Sequence, residues 1–218
     1  MLYVYAFVEA PAVVPETEGI DSAPVAAERA AGLDAIVSHH DNESVDASEP
    51  AVIAHARVVD AVAGLNDAVL PARFGGMHAD ADALRAAVAE RAVSLAAALE
   101  RVRGCVELGL RVLAPAVDPA PATTGAGYMH ARLEQRRATE RLADEVHTPL
   151  AELARATTRT VGATPRLLLS AAYLVPREDA STFRDAVGRL QREHPTLTIA
   201  CTGPWPAYSF GTAEATAP

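Results

Sequence analysis

The side chains of this 218-residue chain that could do chemistry are few and poorly spaced for it. His39, His40 and Asp41 are consecutive, which suggests a metal site, but adjacent residues on a strand point to opposite faces and cannot readily share one ion. Cys105 and Cys201 are far apart and form no CxxC pair, so buried thiols are favoured over a disulfide, a metal ligand or a nucleophile. The spacing predicts no metal site.

His55 is the other histidine that could act as a catalytic base. It lies on an apolar stripe with Val52, Val59 and Val62, spaced as on one side of a helix. No Ser, Cys or carboxylate accompanies it at a catalytic spacing, so a histidine at the edge of the core is favoured over a general base. The sequence therefore predicts no catalytic residue and no cofactor.

The first half of the chain contains the strands and helices that must position these residues. Leu2–Val8 is apolar on both faces, as expected of a central strand. Residues 10–32 are rich in Pro and Gly and predict a loop with at most a short helical turn over residues 25–31. The elements expected next are a strand over residues 33–39, a helix from Ser48 to Gly64, a strand over residues 68–76 and one long helix from Asp80 or Asp82 to about Arg103.

The segment Val69–Gly75, with the sequence VLPARFG, is distinctive. Pro71 implies an edge position or a bulge, and Gly75 allows the backbone to turn. There is no GxxxxGK[ST] pattern, so this is not a phosphate loop. For Arg73 a structural salt bridge is favoured over a binding role.

The second half predicts a second group of elements in the order βαββαβ. That order is typical of a ferredoxin-like fold. Its elements are a strand at 105–113, an irregular connection at 114–127, a charged helix at 128–147 that Pro149 kinks or restarts, strands at 159–163 and 166–175, a helix at 179–193 and a strand at 196–202. We therefore expect an α/β (α+β) protein of two small ferredoxin-like or modified ferredoxin-like domains, residues 1–103 and 104–218.

The segment Gly203–Phe210 follows the last predicted strand. Pro204 and Pro206 fix the backbone, so we expect a stiff, extended segment that continues neither a helix nor a strand ladder. Trp205, Tyr208 and Phe210 then either complete the edge of the domain core or lie against a partner.

Composition excludes several classes of function. The formal charge is −9, the pI is about 5.2 and Lys is absent, which disfavours binding to nucleic acid. No apolar run is long enough for a membrane span. The N-terminus lacks the basic region of a signal peptide, so the expected location is the cytoplasm.

Five motifs occur in a recognisable order, and they are YVYAFV, VLPARFG, RVRGCVELGLRV, AAYLVPR and GPWPAYSF. Together these motifs span nearly the whole length of the chain. In their sequence, order and spacing the chain resembles the gas vesicle protein L/F family. The positions that match the two most specific motifs are Leu70, Pro71, Arg73, Phe74, Gly75, Gly203, Pro204, Trp205, Pro206, Tyr208 and Phe210. The family often has Pro-Tyr-Asn where this chain has Ala207-Tyr208-Ser209, so the aromatic ring is kept.

The resemblance implies two α/β domains and a non-enzymatic accessory protein of gas vesicle assembly. Such a protein is expected at the gas vesicle, in contact with the hydrophobic shell subunit and with other accessory proteins. Covering the apolar surface of the subunit would limit its aggregation or help to nucleate a vesicle.

Two alternatives stay open. One is an enzyme or small-ligand module with a pocket near His55 and Tyr173. The other is a scaffold that binds only accessory proteins through the charged helix at residues 128–147. The sequence also leaves self-association open.

Overall fold

The structure is a computed structural model that describes residues 1–115, 124–162, 164 and 166–211. The chain divides into two compact units. The first comprises Met1–Cys105 and the segment that begins at Trp205, and the second is Val106–Pro204. From the sequence alone we place the whole tail in the C-terminal domain, whereas in the structure residues 205–211 group with the first unit.

The first unit is built on a five-stranded sheet. Its strands are β1 (Leu2–Glu9), β2 (Val25–Ala30), β3 (Leu33–His39), β4 (Val69–Pro71) and β5 (Met77–His78). The order is β2-β3-β1-β4, and β5 also pairs with β1. The central position of β1 agrees with its apolar residues on both faces, since Tyr3, Val4 and Tyr5 are all buried.

The short helical turn expected over residues 25–31 is wrong, because β2 occupies this stretch. It pairs with β3 in antiparallel register, from Val25 opposite Ser38 to Ala30 opposite Leu33. Ala31 and Gly32 form the two-residue connection, and both have positive φ angles, as a tight hairpin requires. The hairpin overrides the weak helical preference of an alanine-rich strand.

The single strand expected over residues 68–76 is also wrong. β4 ends at Pro71, the chain turns through Gly75 with φ +88°, and β5 then returns to pair with β1. Pro71 cannot donate a ladder hydrogen bond, and the left-handed backbone at Gly75 favours glycine.

Three helices complete the first unit, and they are α1 (Glu49–Leu65), α2 (Ala81–Glu90) and α3 (Ala92–Val102). The Ser48 side chain caps α1 and the Asp80 side chain caps α2, as their sequence signatures predict. The one long helix expected from Asp80 to Arg103 is instead two helices, because Arg91 leaves helical geometry at φ −115° and ψ 9°.

The second unit has the predicted βαββαβ order. Its elements are β6 (Cys105–Leu113), α4 (Gly125–Ala151), β7 (Ala156–Val161), β8 (Leu167–Pro176), α5 (Ala180–Glu193) and β9 (Thr198–Trp205). The strand order β7-β8-β6-β9 is that of a ferredoxin-like sheet. Its core combines alternate residues of β6 and β8 with α4 and α5, for example Leu110, Tyr173, Val146 and Phe183.

Helix α4 is longer than the sequence predicted. It begins at Gly125, where the Thr124 side chain caps the Gly127 amide, and it continues through Pro149 to Ala151. Most of the irregular connection expected at 114–127 falls on residues 116–123, which lie outside the described residues.

The expectation that the tail cannot continue a strand ladder is wrong at its first residues. Strand β9 runs through Gly203 and Pro204 to Trp205. Proline is tolerated here because β9 lies at the edge of its sheet. On an edge strand, a backbone N–H that faces solvent makes no ladder hydrogen bond, so proline loses none there.

Candidate interaction surface

The VLPARFG segment is fixed to the central strand of the first unit. The Ala72 amide donates to the Tyr5 carbonyl at 2.8 Å, and the Val4 amide donates to the Gly76 carbonyl at 2.9 Å. The Phe74 ring packs edge-on against Tyr3, with ring centroids 5.9 Å apart. Phe74 and Gly75 thus hold the loop in place.

Arg73 is the cation of this anchored loop. It is exposed and forms no ion pair with any of the residues that the structure describes, so the structural salt bridge favoured from the sequence is not found there. An exposed guanidinium without an ion pair among the described residues can bind a carboxylate of another molecule.

The tail is anchored through its last aromatic residue. Phe210 is 1% exposed, and its carbonyl accepts a hydrogen bond from Arg101 Nη2 at 3.1 Å. Tyr208–Phe210 form a 3-10 turn that lies against β4, the strand that ends at Pro71. The last residues of GPWPAYSF therefore lie against the strand that begins VLPARFG, within the first unit.

The other two rings of the tail remain outside the core. Trp205 is 49% exposed and Tyr208 is 43% exposed. Phe210 therefore completes the core of its unit, whereas the rings of Trp205 and Tyr208 are each about half-exposed. We call Trp205 and Tyr208 the aromatic surface.

Gly203, Pro204 and Pro206 determine how the chain enters this surface. Gly203 has φ +102°, a left-handed backbone that favours glycine, and its carbonyl accepts from Arg184 Nη2 at 2.8 Å. Pro204 is exposed and Pro206 is half-buried. These residues give Trp205 a backbone with little freedom to lose on binding.

His55 belongs to the buried aromatic cluster of the first unit. Its Nδ1 lies 2.9 Å from the Tyr3 hydroxyl, which also accepts from the Gly75 amide at 3.2 Å. The direction of the His55–Tyr3 hydrogen bond depends on the histidine tautomer, because a hydroxyl can both donate and accept. Burial lowers the pKa of His55, with the Ala72 backbone opposing, and raises the pKa of Tyr3 to about 12.

A second buried polar chain runs through the same unit. The Tyr5 hydroxyl lies 2.8 Å from Ser38 Oγ, which lies 2.8 Å from His40 Nε2, and the Ile20 amide donates to Tyr5 at 2.8 Å. The His40 side chain, just beyond the end of β3, is 7% exposed, whereas His39, the last residue of β3, is exposed. Among the described residues, no group of His, Cys, Asp and Glu is arranged to hold a metal ion.

Tyr173 is likewise buried in the second unit. Its hydroxyl lies 2.8 Å from His147 Nδ1, and its ring packs against Phe183 at 5.0 Å. Burial raises the pKa of Tyr173 and lowers that of His147. His55 and Tyr173, the residues suggested for a ligand pocket, each belong to the core of a different unit with a partner of its own.

The fold and this surface define a two-unit α+β protein with an exposed pair of rings on an anchored tail. Residues 1–212 match the family model described as Gas vesicle synthesis protein GvpL/GvpF, and the chain belongs to this family. None of the described helices combines the length and apolar composition needed to cross a membrane.

Similar proteins agree with this assignment. Gas vesicle protein F1 of Halobacterium salinarum is 29% identical over 212 residues, which cover 96% of this chain and 92% of that protein. Gas vesicle protein F2 of the same organism is 30% identical over 180 residues, covering 82% and 76%. The crystal structure of the gas vesicle protein GvpF from Anabaena has the same fold, with a TM-score of 0.78, 20% identity and coverage of 97% and 95%.

Proposed function

We propose that this protein is a non-enzymatic accessory protein that binds the hydrophobic gas vesicle shell subunit and other accessory proteins during assembly. Family membership supports a role in gas vesicle synthesis. The observation that carries the proposal further is the half-exposed pair Trp205 and Tyr208 on a turn anchored by the buried Phe210. Trp and Tyr are the residues most enriched where a few side chains supply most of the binding energy.

The proposed interaction covers apolar surface of the shell subunit with the rings of Trp205 and Tyr208. A shell subunit that has not yet been incorporated exposes apolar surface, which aggregates unless it is covered. Two rings held by a rigid backbone cover such surface at low entropic cost. Arg73 adds an exposed cation that can pair with a carboxylate of the subunit.

A co-sedimentation experiment tests this proposal. The shell subunit is diluted from denaturant with and without this protein, and the fraction that stays in solution is measured for wild type, Trp205→Ala, Tyr208→Ala and Arg73→Ala. We expect wild type to keep the subunit in solution and Trp205→Ala to lose most of that effect while remaining folded by circular dichroism.

Tyr128→Ala is the matched control, because Tyr128 is an aromatic residue of similar exposure (48%) on α4. If Tyr128→Ala loses the effect and Trp205→Ala keeps it, the aromatic surface is not the binding site. If the subunit precipitates equally with and without wild-type protein, direct binding of the shell subunit is refuted. A scaffold that binds only accessory proteins then becomes the better hypothesis.

A further inference from the structure

The first half of α4 contributes no side chain to the core formed by the described residues of its own unit. Every residue from 124 to 138 is exposed, and the first buried residue of the helix is Ala143. We call residues 125–141 the arm. An isolated helix of this length is marginally stable in water, so an exposed helical arm gains stability from a partner.

The arm presents apolar side chains to solvent. Tyr128 is 48% exposed, Met129 is 65% exposed and Leu133 is 48% exposed. Met129 and Leu133 are four residues apart and therefore lie on the same side of the helix. Apolar side chains grouped on an exposed helix indicate an interaction site.

The charge of the arm is opposite to that of the chain as a whole. The arm has more cations than anions, namely Arg132, Arg136, Arg137 and Arg141 against Glu134 and Glu140, in a chain of formal charge −9. Its internal ion pairs, such as Arg136 with Glu140 at 2.9 Å, are exposed and contribute little, so they can be exchanged for contacts with another molecule. Two arms repel each other, whereas an acidic surface attracts one.

A concave acidic surface of this kind occurs in the first unit. Residues 41–49 contain four carboxylates and no Lys or Arg. They border a cleft of about 560 Å³ whose lining includes Asp21, Glu43 and Asp46. Val45, which packs against the core from the same loop, adds an apolar contact to this lining. The cleft thus matches the arm in both charge and apolar content.

We propose that the arm of one copy binds the acidic cleft of a second copy. The arm and the cleft are different surfaces, so the contact either occurs twice across the two-fold axis of a dimer or, if it is heterologous, continues into a ring or a chain of molecules. The proposal is independent of shell-subunit binding, since neither surface includes Trp205 or Tyr208.

Sedimentation equilibrium over a range of protein and salt concentrations gives the first test. At about 10 mM salt, where charges act over roughly 30 Å, the average mass is expected to rise above the 22.8 kDa of one chain as the protein concentration increases. At about 1 M salt, where this range falls to roughly 3 Å, the mass is expected to return to that of the monomer. A single chain mass under all conditions overturns the proposal.

Charge reversal gives the second test. An arm variant, Arg132→Glu with Arg136→Glu, and a cleft variant, Glu43→Arg with Asp46→Arg, are each expected to be monomeric at low salt. Mixing the two variants is expected to restore association, because each reversed surface then meets its complement. The control is Arg189→Glu with Arg192→Glu, exposed arginines of α5, which changes the net charge as the arm variant does and should leave association unchanged.

Association that survives both reversals overturns the proposal, and so does a mixture that stays monomeric. Trp205→Ala, which addresses the proposed function, is expected to leave the self-association curve unchanged. Loss of association in Trp205→Ala would assign the contact to the aromatic surface and would also overturn the proposal.

Discussion

At the scale of single residues, the clearest prediction concerns the hydroxyl of Tyr3. This one oxygen lies within hydrogen-bond distance of both His55 Nδ1 and the Gly75 amide in a buried cluster. Tyr3→Phe leaves both groups without that partner and is expected to lower the free energy of unfolding by roughly 1–3 kcal/mol. Urea denaturation measures this change.

Tyr128→Phe is the matched control for Tyr3→Phe. The Tyr128 hydroxyl accepts only an exposed contact from Arg132 at 3.2 Å, so its loss should change stability by less than about 0.5 kcal/mol. Equal effects of the two substitutions would show that the hydroxyl of Tyr3 has no special role in the cluster.

Three histidines that are largely buried are expected to make the stability of the protein depend on pH. Burial is the largest influence on His40, His55 and His147 and lowers the pKa of each. The unfolded chain therefore binds more protons once the pH falls below about 6.5, and stability is expected to decrease from about pH 7 to about pH 5, by up to about 1.4 kcal/mol per pH unit for each histidine. Urea midpoints at several pH values measure the slope.

Asp60 supplies a comparison for this pH dependence. Burial raises the pKa of Asp60, so the folded state holds its proton more tightly and stability is gained as the pH falls. Asp60→Asn removes this opposing contribution, which develops as the pH falls towards the ordinary carboxyl value of 3.8, and is expected to steepen the acid loss in that range. Stability that is constant or increasing towards pH 5 in both proteins would contradict the role assigned to the histidines.

At the scale of elements, Gly19 determines how the turn Ile20–Ser22 packs against β1. A Cβ atom at Gly19 would lie 2.2 Å from the Tyr5 hydroxyl, too close for any real contact. Gly19→Ala must displace Tyr5 and is expected to cost roughly 1–3 kcal/mol of stability. The control is Gly64→Ala in α1, where a Cβ has open space and alanine should be neutral or stabilise by up to about 1 kcal/mol.

Within the tail, Phe210 and Trp205 are expected to contribute differently to the stability of the protein. Phe210 is buried, so Phe210→Ala is expected to cost roughly 3–5 kcal/mol and to release the turn that positions the aromatic surface. Trp205→Ala removes a half-exposed ring and should cost clearly less, on the order of 1–2 kcal/mol. Thermal or urea unfolding of the two variants tests this, and a large loss in Trp205→Ala would place its ring in the core after all.

At the scale of the whole molecule, net charge predicts a salt effect on the proposed function. A chain of charge −9 bound to shell subunits makes the complexes repel one another, and salt screens this repulsion. In the co-sedimentation experiment we expect the fraction kept in solution to fall at about 1 M salt. The apolar contact does not weaken with salt, so capture of the shell subunit on immobilised protein should persist under the same conditions.

If salt abolished capture as well, ion pairs such as those available to Arg73 would be the main source of binding. If salt left both measurements unchanged, net charge would have no role in keeping the subunit dispersed. Measuring both capture and the fraction kept in solution at high salt therefore distinguishes binding of the shell subunit from keeping it dispersed.

Local sequence patterns determined most of the secondary structure and the order of the elements. Ser48 and Asp80 cap their helices as predicted, β1 is central because both of its faces are apolar, and the βαββαβ order gives the expected sheet. Capping and periodicity depend on residues a few positions apart, so a single sequence contains them. The motifs at Pro71 and Trp205 also indicated the family that the comparison of residues 1–212 establishes.

Only the tertiary structure decided which side chains of these elements face outward. It assigns Phe210 to the core and leaves Trp205 about half-exposed, makes a strand of Val25–Ala30 through pairing with β3, and leaves residues 125–138 of α4 exposed. The physical reason is that burial depends on contacts between residues far apart in the chain. Propensity and spacing describe a residue's immediate neighbours along the chain, whereas a ring is buried or exposed according to which distant strand packs against it.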